Sequence, residues 1–568
     1  MAPTYAGMSG KRLSLSISTI GTLGFLLFGY DQGVMSGIIS DAAFNDVFTA
    51  TKGNSTMQAL VTAVYELGCL AGAIFALFRG DMIGRRWMII IGASVMILGV
   101  IIQVTAFPGH VPLAQFMVGR IVTGIGNGGT IAIGTLIAYW IDYGAHFGPS
   151  DLVWRFPIAF QVVFGILIIV GMYYLPDSPR YLITRNKIED GEYVLAALIG
   201  HEITDHETQI QKQLVLDSVR ASGALDKDVR YKDLLTGGHT QHFRRMLIGA
   251  SSQIFQQLSG CNAVIYYLPV LLEQSLGQST NQALLIGGIN MICYAVFATF
   301  SWFFIEKIGR RKLFLGGTFG QLAAMIITFA CLIPNNKQVA NGAVFGLLIG
   351  GINMIATPSC HISWFFIEKM VVVNCSGRHL GQLAAMIITF ACLIPNNKQV
   401  ANGAVFGLFL YMCFFGATWL PLPWLYPAEI SPIKTRAKAN AVSTCCNWLF
   451  NFTIVMITPV MVSSIGWRTY LFFAVMNASF IPFIWLFYPE TSGRSLEEID
   501  IIFAKGYAEK KSYVTAAREL PKLTDDDVDA QAVEFGLVRN SDEETEKQIE
   551  EKRSSGGAPG TVNPVVYP

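Results

Sequence analysis

The sequence predicts an all-α polytopic membrane protein, and three observations carry that prediction. Of 568 residues, 52% are hydrophobic and only 14% are charged, with a mean hydropathy of +0.46. A soluble chain carries about 25% charged residues and would need charged surfaces for several domains at this length. The second observation is a series of uncharged runs far longer than strands. The third is 55 glycines, a residue frequent where transmembrane helices approach closely. A net charge of +1 and a pI near 7.5 give no basis for a nucleic-acid partner.

A helix needs roughly 20 apolar residues to cross about 30 Å of hydrocarbon. In chain order that criterion places spans near 13–38, 57–78, 87–107, 112–141 and 153–175. After a polar interval come 245–272, 280–304, 312–333, 343–367, 380–396, 402–427, 437–462 and 468–488. Lys11 and Arg12 precede an apolar run that carries polar residues and becomes the first span, so no cleavable signal peptide is read there. The expected organisation is a tail over 1–12, a bundle over 13–175, a linker over 176–243, a bundle over 244–488 and a tail over 489–568.

Basic residues orient the chain. They concentrate at Lys11/Arg12, Arg79 to Arg86, the 176–245 segment, Lys307 to Lys312 and Lys434 to Lys438. The positive-inside rule assigns these to the cytoplasm, with both tails. Asn54-Ser55-Thr56 then falls outside as an N-glycosylation acceptor, with Asn54 the attachment residue. Asn451-Phe-Thr and Asn477-Ala-Ser lie inside apolar runs, where no glycan is attached. The ten cysteines have no metal-ligand spacing and read as small packing residues. The tail beyond 499 is rich in Asp, Glu and Lys and is expected to be cytoplasmic and disordered.

The two bundles carry matching loops. Asp81-Met-Ile-Gly84-Arg85-Arg86 in the first answers Glu306-Lys-Ile-Gly309-Arg310-Arg311 in the second, an internal duplication of the kind transporters show. Pro176-Asp-Ser-Pro-Arg180 and Pro489-Glu490-Thr-Ser-Gly493-Arg494-Ser-Leu-Glu497-Glu498 close the bundles, and Gln256-Gln257-Leu-Ser-Gly260-Cys-Asn262 with Tyr266-Tyr267 opens the second. Together these resemble the sugar porter branch of the major facilitator superfamily, in particular fungal monosaccharide transporters, over about residues 15–500. The resemblance implies two pseudo-symmetric helical bundles, twelve spans and alternating access. It also implies a monomer in the plasma membrane with no enzymatic activity, cofactor or metal, and monosaccharide and proton as partners.

Asp31 lies inside the first span, where a carboxylate costs about 2.5–3.5 kcal/mol to insert. Its alternative role is a structural carboxylate satisfied by water near the helix end. In proton-coupled sugar porters the matching Asp carries the proton, and Arg120 from the fourth span modulates it. Gln256, Gln257, Asn262, Asn290, Trp424 and Asn447 occupy positions where sugar porters contact sugar. Amides suit hydroxyls because both donate and accept; the alternative is interhelical bonding worth about 0.6 kcal/mol each. Gln256 and Gln257 diverge by a helical step, so not all these amides face one cavity. Tyr266 and Tyr267 match the gate. Asp81, Arg85, Arg86, Glu306, Arg310, Arg311, Glu429, Arg436, Glu490 and Arg494 match the family's cytoplasmic charge network, or serve as positive-inside anchors. The Gly24–Gly29 spacing is associated with pentose preference in the family, but on a transmembrane helix it is more often a packing pattern.

Thirteen spans is not twelve. Residues 112–141 number 30, where two spans need roughly 40 and a loop. The start resembles the fourth span and the end, Leu136 to Gly144, the fifth. The family's intervening Pro-x-Tyr-x-x-Glu…Arg-Gly loop is missing. One continuous helix would invert everything after it, so a bent or re-entrant segment is expected. In the second bundle, 320–347 and 381–408 are identical, LLIGGINMI recurs at 284 and 347, and SWFFIEK recurs at 301 and 363. The copies are 63, then 62, then 61 residues apart. Losing one base from ATx-GGT-CGT-CGT-AAA-CTG-TTC converts Ile308…Phe314 into Met370…Ser376. The extra hairpin over about 347–408 is therefore a frame-damaged tandem copy. It adds an even number of spans and preserves topology. The resulting reading is a monosaccharide:proton symporter, with a sugar sensor or an inactive product of a damaged gene as the alternatives.

Overall fold

A computed structural model of the chain describes residues 3–106, 111–126, 132–149, 151–221, 231–332, 399–432, 434–523, 525–535 and 537. Within them the protein is helical, and the first bundle begins with α1 (Gly10–Ile38), the short α2 (Ala42–Val47), α3 (Ser55–Ile83) and α4 (Arg85–Val104). Asn54 caps α3, its side-chain oxygen accepting from Met57 N at 3.1 Å. Nine helices among the described residues are long and apolar enough to cross a membrane. Side chains such as Leu98, Val170, Trp302, Phe303 and Leu486 are exposed and form the surface a bilayer would cover.

The 112–141 run is not one span. It forms α5 (Pro112–Gly126) and α6 (Ala132–Ala145), 15 and 14 residues long, or about 22 and 21 Å at the helical rise. Each falls short of a 30 Å crossing. Gln103 Nε2 donates to Thr123 Oγ1 at 2.7 Å, and Gly126 lies against Gly92, so α5 descends antiparallel to α4 into its inner half. Thr135 Oγ1 donates to Gly29 O at 3.0 Å and Gly37 N to Asp142 Oδ2 at 3.3 Å, so α6 climbs beside α1. The pair is a re-entrant hairpin with both ends on the outer face. Its described inner ends are packed on protein, Gly124 against Tyr65 of α3, Gly126 against Gly92 of α4 and Gly134 against Leu26 of α1. α7 (Leu152–Tyr174) therefore still runs inward, and Arg86 at the inner end donates to its last carbonyls, Met172 O at 2.9 Å and Tyr173 O at 2.5 Å.

The linker contributes α8 (Pro179–Thr184), α9 (Ile188–Ile199) and α10 (His206–Ala221), with Lys212 Nζ 2.8 Å from Glu192. The second bundle opens with α11 (His242–Leu258) and α12 (Cys261–Leu276), which divide the 245–272 run at Ser259-Gly260. α13 (Thr280–Ile308) and α14 (Arg310–Leu332) follow. The 343–367 and 380–396 spans lie outside the described residues. The described residues resume with α15 (Gln399–Phe414), a π turn over Phe415–Trp419 and α16 (Leu422–Ile430), which together make the 402–427 run one crossing with a π turn in it. α17 (Arg436–Ile465) and α18 (Arg468–Phe487) complete the bundle.

The tail departs from its expected disorder over α19 (Leu496–Ala508), α20 (Tyr513–Glu519) and α21 (Asp525–Glu534). Charge content alone hid an apolar face: Ile501, Ile502, Ala516, Ala517 and Leu520 form a small core. A reciprocal capping box joins Ser495 and Glu498. The tail is held to the second bundle by Arg245 with Asp500, and by Arg244 Nη1 donating to Tyr513 Oη at 2.9 Å.

Candidate functional site

The site is built where α1, α3 and α5 of the first bundle meet α12 and α17 of the second. Asp31 and Arg120 are both fully buried, with Arg120 Nη1 3.8 Å from Asp31 Oδ1. That separation is an ion pair without a direct hydrogen bond. The guanidinium also lies 4.7 Å over the Tyr65 ring, and its Nη2 points at Thr62 O at 3.5 Å. These contacts hold a charge at membrane depth on an aromatic face and one carboxylate.

The amides divide as helical geometry requires. Gln256 turns toward α15–α17: its Nε2 donates to Trp419 O at 2.7 Å, and its Oε1 accepts from Asn447 Nδ2 at 2.9 Å. Asn447 Nδ2 also donates to Gln253 Oε1 at 2.5 Å. Gln257 turns the other way and accepts from Asn262 Nδ2 at 2.7 Å; Asn262 Nδ2 donates as well to Asn451 Oδ1 at 2.5 Å. Asn290 on α13 is fully buried, and neither of its side-chain polar atoms has a hydrogen-bond partner among the described residues. Trp424 sits half-buried on α16.

Tyr266 and Tyr267 are fully buried and bond differently. Tyr266 Oη donates to Glu66 Oε1 on α3 at 2.5 Å; Tyr267 Oη donates within its own bundle to Val455 O at 3.0 Å. At the outer face the bundles meet again. Tyr139 Oη donates to Ile265 O at 2.5 Å, and His146 lies 2.7 Å from both Asp41 Oδ2 and Asn281 Oδ1. On the inner side a cleft of about 230 Å³ separates α3 from α17, lined by Ala73, Leu77, Ala437, Lys438 and Thr444 among others.

The charge network assembles in the second bundle. Arg310 binds Glu429 through Nε at 3.1 Å and Nη2 at 2.7 Å, and Glu306 through Nη1 at 2.8 Å and Nη2 at 2.6 Å, paired forks of the strong bidentate type. Glu490 accepts the backbone N–H of Arg310 at 2.6 Å and of Arg311 at 3.2 Å. Arg311 Nη2 donates to Trp485 O at 2.8 Å. Arg494 pairs with Glu498 at 3.5 Å and caps the carbonyls of Ala517 and Leu520.

Three expected members depart from this. Arg436 donates to Ser431 O at 3.1 Å rather than to a carboxylate, because the turn before α17 places that carbonyl within its reach. Arg86 binds carbonyls of α7, as above. Arg85 has no carboxylate partner among the described residues. The Asp81 side chain lies outside the described residues. Asn54 is exposed at the outer end of α3.

The sugar (and other) transporter family model matches residues 17–133, 129–367 and 343–503. The chain belongs to the sugar porter family of the major facilitator superfamily. The sugar transporter STL1 of Saccharomyces cerevisiae is 38% identical over 96% of this chain and 90% of its own length. The major facilitator superfamily transporter mfsA of Aspergillus fumigatus is 34% identical over 96% of both. The structure of the proton:xylose symporter XylE bound to 6-bromo-6-deoxy-D-glucose covers 87% of this chain and all of its own, with a TM-score of 0.63 at 23% identity, which shows the shared fold. The breaks between the three family matches fall at the shortened 112–141 region and at the repeated hairpin. The transporter is thus a multi-pass membrane sugar transporter and not an enzyme.

Two groups in its core escaped sequence reading. Glu66, in Val61-Thr-Ala-Val-Tyr-Glu66-Leu-Gly68, is fully buried on α3, and the rule that singles out Asp31 selects it equally. Gln161 is a lone amide in the apolar α7. It is fully buried, with no hydrogen-bond partner for either polar atom among the described residues.

Proposed function

We propose that this transporter is a monosaccharide:proton symporter of the plasma membrane that works as a monomer by alternating access. The observation that carries the reading is the buried Asp31–Arg120 pair, set at membrane depth near a cluster of buried amides. A carboxylate there is expensive unless used, and Arg120 at 3.8 Å provides a counter-charge whose hold changes when the carboxylate gains a proton. The inward proton gradient then drives uptake with about 2.3 kcal/mol per 100 mV of membrane potential.

The sugar would lie among Gln256, Gln257, Asn262, Asn290, Asn447 and Gln161, with Trp424 against its C–H face. Asn290 and Gln161 supply unsatisfied donors and acceptors, while the other amides exchange partners with the incoming hydroxyls. Glu306, Arg310, Arg311, Glu429 and Glu490 would hold the inner ends of the second bundle when the outer face opens, and Asn54 would carry a glycan outside.

Uptake of radiolabelled hexoses and pentoses in transporter-null cells, with and without a protonophore, tests this. Symport predicts accumulation that collapses with the protonophore. Uptake indifferent to it defeats symport, and sugar binding without uptake supports a sensor.

A further inference from the structure

Glu66 occupies a position that the proposed symport mechanism does not use. It is fully buried on α3, faces the opposite bundle and accepts the Tyr266 hydroxyl at 2.5 Å. Its second oxygen, Oε2, has no hydrogen-bond partner among the described residues. Asp31 from α1, Arg120 from α5, and Tyr266, Tyr267 and Cys261 from α12 are the charged or titratable groups around it, with Tyr65 and Cys69 on its own helix. From α17 the neighbour is the neutral amide of Asn451.

That chamber holds two carboxylates and one guanidinium. In a dry site a buried charge is paired or neutralised, so Arg120 balances one carboxylate and a proton neutralises the other. Geometry separates their roles. Asp31 is the carboxylate at ion-pair distance from Arg120, whereas Glu66 holds the gate tyrosine. Asn451, beside Glu66, also accepts from Asn262, which donates to Gln257. Glu66 is therefore one step from the amides proposed for sugar and shares a chamber with the proton-carrying pair.

We propose that Glu66 is a second proton-exchanging carboxylate, which relays the charge state of Asp31–Arg120 to Tyr266 and so ties gate movement to the proton. Ionised Glu66 accepts strongly from Tyr266 and fastens α12 to α3. When Asp31 takes a proton from outside, Arg120 turns its charge toward Glu66, whose own proton leaves toward the inside, and the ionised Glu66 keeps the gate closed over bound sugar. When Asp31 hands its proton to Glu66 and Arg120 returns to Asp31, the bond from Tyr266 weakens and the gate opens; Glu66 keeps that proton until the next one arrives at Asp31, so one proton crosses per cycle. This rests on the symport reading.

The test uses the full chain, purified into proteoliposomes, and compares proton-driven accumulation of the best-transported sugar with its counterflow at equal pH. Glu66→Gln keeps the shape and an acceptor for Tyr266 but exchanges no proton. Accumulation is expected to fall at least ten-fold more than counterflow, and the pH dependence of uptake to flatten. Glu66→Asp is expected to restore protonophore-sensitive accumulation in part. Tyr266→Phe removes a donor that favours the ionised carboxylate, and is expected to shift the pH midpoint of uptake upward by at least half a unit. It reads the proposal even if the glutamine variant does not fold. A wild-type pH profile with undiminished accumulation in Glu66→Gln, or an unshifted midpoint in Tyr266→Phe, overturns the proposal while symport stands. Protonophore-insensitive accumulation by the unaltered chain removes the symport reading first.

Discussion

Two buried asparagines of the second bundle illustrate how differently the same side chain is employed. Asn447 donates to both Gln253 and Gln256 at 2.5 and 2.9 Å, so Asn447→Ala leaves two buried acceptors unmade. The loss is expected to be about 1–3 kcal/mol of stability, read as a lower melting temperature in detergent. Asn290 has no hydrogen-bond partner among the described residues, so Asn290→Ala is expected to melt with the parent and raise the KM for sugar about ten-fold, or roughly 1.4 kcal/mol. Equal loss of melting temperature in the two variants would contradict this difference in their bonding. At this scale the sequence was partly legible. Asp31 announced itself as a charge in an apolar run, and Glu66 carried the same signal. What no spacing rule shows is that Glu66 meets Tyr266, because that contact joins residues 200 positions apart.

At the scale of elements, the two bundles repeat one device at their inner turns. Gly84 (φ 95°, ψ 155°) ends α3, and Gly309 (φ 96°, ψ 153°) ends α13, both in a region only glycine adopts freely. A Cβ at Gly84 would meet Asp177, and one at Gly309 would meet the Glu490 carboxylate. The matching Gly-Arg-Arg loops made the repeat readable; the acidic partner of each glycine emerges only from packing. Gly309→Ala is expected to cost about 1–3 kcal/mol and to displace Glu490 from the Arg310 and Arg311 amides, lowering thermal stability in size-exclusion melting. An unchanged melt would contradict this account of the turn. Among the described residues Arg310 binds two carboxylates and Arg85 none. For the α5–α6 hairpin, residue count pointed to a shortened region, and packing decided that both ends stay outside.

The molecule as a whole keeps the sugar porter arrangement despite its altered length. α14 ends at Leu332 in the first copy of the repeat and α15 begins at Gln399 in the second. The copies are identical through this region, so removing 333–393 joins Leu332 to Ile394 with no change of local sequence. That shortened chain is expected to express, fold and accumulate sugar at least as well as the full chain. Loss of folded protein would show that the repeat is structural. The composition predicted a membrane protein and the motifs predicted its family, while the tail's helices lay hidden because their apolar face is short and flanked by charge.

The central claim is that protons travel with sugar through the Asp31–Arg120 pair. The most direct measurement follows external pH in a lightly buffered suspension of cells expressing the full chain as sugar is added. The account predicts prompt alkalinisation that is abolished by Asp31→Asn. Sugar entry with no change in external pH, or alkalinisation that survives Asp31→Asn, would contradict it.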